Sequence, residues 1–110
     1  MDERARRIGE NEAIFRALNE RLRELGESFS LVAEHAEFVC ECGDVGCTER
    51  IPLTLEVYEA VRADARRFVI VSGHEIADVE RVLERHEHYS VIEKLPGVPA
   101  EVARETDASR

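Results

Sequence analysis

FVCECGDVGCTERI, residues 38–51, holds all three cysteines of the chain within eight positions. β-Branched and aromatic residues flank GDVG, so residues 37–42 and 48–53 read as extended segments joined by a turn. The pair predicts a β-hairpin whose tip carries the cysteines. In a strand, Cys40 and Cys42 leave the same face. Cys47 returns after a turn in which Gly43 and Gly46 relieve backbone crowding. Three thiolates converging on one point suit a tetrahedral soft-ligand metal site, zinc above all, and such a site needs one more ligand.

Downstream of the hairpin, TLEVYEAVRADARR reads as a helix with Thr54 as its N-cap and Leu55, Tyr58 and Val61 on one face. RFVIVS is a continuous apolar run of the buried-strand type. SGHE opens a further helix on the capping-box spacing of Ser72 and Glu75, with Ile76, Val79 and Leu83 as its inward stripe. YSVIEKL alternates as a last strand. Beyond Pro96 the chain lacks a core-forming pattern, so residues 96–110 read as a flexible acidic tail behind a single domain of residues 1–95.

Upstream, residues 4–26 read as one long amphipathic helix. Ile8, Phe15, Leu22 and Phe29 recur every seven positions, Leu18 and Leu25 fill the gaps, and Ile14 widens the stripe. Asn11 falls in that seam, where a polar residue fixes the register of paired helices. Gly26 marks the expected stop. The element order predicts an α+β fold: a long N-terminal helix, a sheet of about four strands, and two further helices. The stripe reads either as packing on the domain's own sheet or as a docking face; the helix outruns such a sheet, so its N-terminal end is expected to overhang. Ile8, Phe15, Leu18 and Leu22 would then bind a protein partner or a second copy of the chain.

Composition narrows the function classes. At 110 residues there is one domain, and 24 acidic against 15 basic residues give a net charge of −9. That acidity argues against a phosphate-backbone partner, which needs a concentrated positive field. Arg4, Arg6, Arg7, Arg16, Arg21 and Arg23 do fall on the first helix. Glu10, Glu12, Glu20 and Glu24 alternate with them, the pattern of a solvated face. The N-terminal stretch has no apolar segment of the secretory type, and no apolar run approaches membrane-spanning length. A cytoplasmic protein is the expectation. In a reducing compartment, three clustered cysteines favour metal or thiol chemistry over a disulfide.

His74 is the preferred fourth ligand, because it follows the buried strand FVIV and a glycine. His35, His86, His88 and Asp44 are its rivals. The run from FVCECGDVGC through LTLEVYEAVR to RFVIVSGHE resembles a group of small actinobacterial proteins patterned FVCECGDxxC, LTLxEYExVR and RFxVxxGHE. NEAIFRALNERL also fits that group, so the resemblance covers most of residues 10–95. It departs at Val57, where the group carries an acidic or small residue. The resemblance implies that Cys40, Cys42, Cys47 and His74 form one constellation, and it implies no activity.

No P-loop, nucleophile elbow or dinucleotide fingerprint occurs. The spacing of a zinc deaminase is missing too. Glu75 beside His74 is better explained as a capping residue than as a general base, and nothing else supports catalysis. The expected function is therefore a zinc-stabilised interaction or regulatory module. The alternative is a metal- or thiol-based redox sensor, including a Cys3His iron–sulfur site.

Overall fold

The computed structural model describes residues 2–28 and 35–107. Phe29 lies outside them, and so does the side chain of His35. The order is α1 (Asp2–Ser28), β1 (His35–Val39), β2 (Arg50–Thr54), α2 (Leu55–Arg62), β3 (Arg67–Ile70), β4 (Glu80–Arg85), β5 (Ser90–Lys94) and α3 (Val98–Glu105). The fold is α+β, as the element order predicts. The strands form two antiparallel sheets, a β1–β2 hairpin and a three-stranded sheet ordered β3–β5–β4, in place of one sheet of about four strands.

The hairpin pairs Phe38 with Ile51 and Ala36 with Leu53, and Phe38, Ile51 and Leu53 are buried. Thr54 caps α2 by accepting from the Val57 amide at 3.2 Å. Tyr58 of α2 stacks on Phe38 with ring centroids 4.4 Å apart. In β3 the run Phe68, Val69 and Ile70 is wholly buried, and so is every residue of the central strand β5. Glu41, just past β1, bonds to β3 of the second sheet. Its amide donates to Val69 O at 2.8 Å, and Val69 N returns the bond to the Glu41 carboxylate at 3.0 Å.

Two expected elements are corrected. Residues 72–83 are not a helix: after turns through residue 79 the chain enters β4. Ser72 does not cap anything, because its hydroxyl is engaged with His86 O and Ser90 Oγ, both at 3.0 Å. Leu83 sits at a register shift between the Val82–Ile92 and Glu84–Val91 pairs. That bulge breaks the two-residue alternation of β4. Ile76 and Val79 lie in the loop and turn before the strand, so they and Leu83 share a helix-like spacing without sharing a helix. The stretch read as a tail contains α3, with Ala100, Val102 and Ala103 buried. Its inward residues are small, so it carries too little apolar signal to stand out in sequence.

The long helix is present, running through Gly26 to Ser28, but its rotational setting differs from the expected one. Ile8, Glu12, Arg16, Asn19 and Glu20 face inward and are buried. Ile14, Leu18 and Leu25 face outward, at 62%, 48% and 53% exposure, while Phe15 and Leu22 are half-buried. Polar pairing makes this setting stable. Arg16 lies over the Phe68 ring at 4.4 Å and donates to Ala65 O and Ala103 O, each at 2.6 Å. It so satisfies a carbonyl near the C-terminal end of α3, where a cation is favoured. Asn19 both donates to Val39 O and accepts from Val39 N, at 2.8 Å each way.

The N-terminal end of α1 does not overhang. Ile8 packs on Gly43, Arg4 pairs with Asp78, and Arg6 reaches Glu105. Among the described residues, no helix is long and apolar enough to cross a membrane.

Candidate metal centre

Three segments supply the site. Cys40 and Cys42 lie just past the end of β1 rather than within a strand, Cys47 closes the loop before β2, and His74 follows β3. The loop is shaped by its own backbone. Asp44 Oδ1 accepts from Gly46 N at 2.9 Å and Asp44 O from Cys47 N at 3.0 Å, which turns Cys47 back toward its partners. Cys40 N donates to Glu49 O at 3.0 Å and ties the loop base. Gly43 has no room for a side chain: an added Cβ would meet Ile8 Cγ2 at 2.4 Å. Gly73 sits at φ +97°, a conformation that L residues rarely adopt, immediately before His74.

The ligand atoms of Cys40, Cys42, Cys47 and His74 all lie within 4.8 Å of one another. His74 Nδ1 is 3.6 Å from Cys40 Sγ and 3.7 Å from Cys47 Sγ. A zinc ion about 2.3 Å from sulfur and about 2.0–2.1 Å from nitrogen sets tetrahedral S···N edges of about 3.6 Å. The two nitrogen–sulfur separations already match that edge. Three sulfurs and one ring nitrogen, all within 4.8 Å of one another, make the donor set of a tetrahedral ion.

The surroundings suit the same purpose. Glu49 Oε2 lies 3.5 Å from His74 Nε2, the ring nitrogen that faces away from the sulfurs. A carboxylate on that side favours the tautomer that leaves Nδ1 free to ligate. Val71 N donates to Cys40 Sγ at 3.2 Å. The thiols share protons unevenly. The hydrogen bond from Cys40 brings the Cys42 thiol down to about 5. The same bond, and then burial, push Cys40 up, and burial raises Cys47. A bound cation would displace these protons.

All four predicted ligands are brought together, and the rivals His86, His88 and Asp44 are engaged otherwise. His86 is in the β4–β5 turn, pairing with Glu84 and stacking on Tyr89. His88 is exposed beside Glu87. Asp44 is occupied with the turn. Glu75 accepts from Gly73 N and Arg85, so its expected capping role is corrected to a loop-bracing one.

Two carboxylates of the site carried no mark in the sequence. Glu49 braces His74. Glu41, between two ligands, is fully buried and accepts from Asn19 Nδ2 at 2.8 Å, Tyr58 OH at 2.6 Å and Val69 N at 3.0 Å. Compared with protein-family models, curated proteins and solved structures, the chain finds no match.

Proposed function

We propose that this chain is a zinc-stabilised interaction module, with Cys40, Cys42, Cys47 and His74 holding the ion in a closed, structural site. The observation that carries the reading is the convergence of three sulfurs and one imidazole nitrogen within 4.8 Å of one another. Four protein ligands complete a zinc tetrahedron, and a closed tetrahedron keeps no position for a substrate or an activated water. The ion would cross-link the β1–β2 loop to the segment after β3. For a small domain whose hairpin is marginal alone, such a link is folding free energy. The interaction side of the reading rests on α1, whose outward residues Ile14, Leu18 and Leu25 present apolar surface away from the core.

Elemental analysis of freshly purified, reduced protein is expected to give about one zinc per chain and a colourless solution. His74→Ala should lose the metal to a chromophoric chelator at least about tenfold more readily, whereas His88→Ala should match wild type. Sub-stoichiometric metal, or a His74→Ala variant that holds zinc as tightly as wild type, would overturn the ligand set. A brown sample with visible absorption would assign the same four residues to an iron–sulfur cluster.

A further inference from the structure

The outward face of α1 has a symmetry of its own. Ile14, Ala17 and Leu18 form its exposed apolar centre. Arg7 and Glu10 precede that centre, Arg21 and Glu24 follow it, and all four are exposed. Glu10 stands four positions before Ile14 and Arg21 four positions after Ala17; Arg7 and Glu24 stand seven before and seven after. The charges are thus arranged with opposite signs at mirrored places about a point between residues 15 and 16. That point is close to the middle of α1, which runs from Asp2 to Ser28.

Such an arrangement selects one partner. When the same helix is laid antiparallel across it, with the two-fold axis at that point, Glu10 meets Arg21 of the second copy. Arg7 meets Glu24 of the second copy, and each pair occurs twice by symmetry. Ile14 then packs beside Ala17 of the second copy, large against small, which lets the helices approach closely. A parallel copy would instead set every charge against its own kind.

The face is available for this contact because the buried bonds of Arg16 and Asn19 fix the rotation of α1. Arg21 and Glu24 make only a loose exposed pair within the chain, at 3.8 Å. We propose that α1 is a self-association surface on which a second copy of this chain docks antiparallel. Its orientation is set by Glu10–Arg21 and Arg7–Glu24 pairs, and its contact area by Ile14, Ala17 and Leu18. This deepens the interaction reading above and rests on it. Exposed ion pairs contribute little affinity but strong preference between orientations. The face is one helix wide, so association is expected in the micromolar range.

The test is sedimentation equilibrium of the full, metal-loaded chain over a concentration series, with zinc content and far-ultraviolet circular dichroism measured on every sample. Wild type should pass from monomer to dimer mass. Glu10→Arg and Arg21→Glu should each weaken association at least about fivefold, and combining them should restore it, because the pairs are re-formed with signs exchanged. Both positions are exposed, so neither change should alter folding or metal content. Leu18→Asp should remain monomeric.

A wild type that stays monomeric at the highest concentration overturns the proposal, as does a double charge reversal no better than its singles. Dimers that persist in protein lacking zinc would leave this surface standing and count against the metal reading alone.

Discussion

Glu41 shows how much one residue can organise. Its neighbours Cys40 and Cys42 turn toward the metal site, while its own carboxylate turns into the core and meets donors from α1, α2 and β3. Burial pushes that carboxyl up, and the bonds from Tyr58, Asn19 and Val69 oppose the shift. Glu41→Gln keeps the shape but replaces an accepting oxygen with a donating amide among three donors. At least one buried donor then loses its partner, at a cost of about 1–3 kcal/mol. The expected outcome is a lower urea midpoint for the zinc-loaded protein together with weaker zinc retention, because the same loop carries two ligands. Wild-type values in both measurements would show that the carboxylate does not position the loop. At this scale the sequence was readable where chemistry is rare and opaque where it is common. Three cysteines close together stand out, whereas Glu41 and Glu49 are two among 24 acidic residues with nothing to distinguish them.

At the scale of elements, period was legible and phase was not. The seven-residue recurrence from Ile8 announced the helix, but the stripe it traced is split in the structure, with Ile8 buried, Phe15 and Leu22 half-buried, and Leu18 and Leu25 exposed. α1 docks through polar groups that find partners in the fold, and no single-sequence pattern reveals those partners. The hairpin and the strand RFVI were legible because their burial follows the simple periods of strands. The β4 bulge and the small inward residues of α3 erased those periods.

One contact of α1 leads to a pH prediction. Lys94 of β5 is buried between Glu12 of α1, at 2.8 Å, and Glu80 of β4, at 2.7 Å. Burial raises Glu12 to about 8; Lys94 pulls it down, and Glu80 pushes it further up. The folded state thus holds a proton that the unfolded chain releases near the ordinary carboxyl value of about 4.3. The stability from this group is fully present below that value and is lost as pH rises toward and through about 8. Thiolate ligation runs the opposite way, since metal binding improves with pH. The informative quantity is therefore the difference between wild type and Glu12→Gln. Between about pH 6.5 and 8.5, wild-type stability should fall relative to the variant. Parallel pH profiles would show that Glu12 does not titrate in this window.

For the whole molecule, the two sheets are unequal in what supports them, and the proposed ion would act on the smaller one. The β3–β5–β4 sheet has a fully buried central strand, with α2 and α3 contributing Tyr58, Val61 and Ala103 to the same apolar core. The β1–β2 unit has only two strands, and a lone hairpin is marginal in water. Its attachments to the rest of the core include Glu41 at the edge of β3, the Asn19 bonds to Val39, and the proposed ion linking Cys40, Cys42 and Cys47 to His74. Strand order and the division into two sheets depend on these contacts between distant residues, so they were not legible from local pattern. Without the proposed ion, the β1–β2 loop and the segment after β3 would keep only hydrogen bonds such as Glu41 N to Val69 O and Val71 N to Cys40 Sγ. Chelation should therefore loosen the molecule in a particular order. Hydrogen exchange measured by mass spectrometry on dialysed apo protein should show protection lost first in residues 38–51 and 71–76. The loss should spread next to the middle of α1 through Asn19, while β3 and β5 remain protected. Uniform loss of protection would mean that the ion is needed for the entire fold, and unchanged protection would mean that it contributes nothing to the hairpin. Either result would sink the division of stability drawn from these contacts, whereas an ordered loss would place the hairpin as the part of the fold that the metal controls.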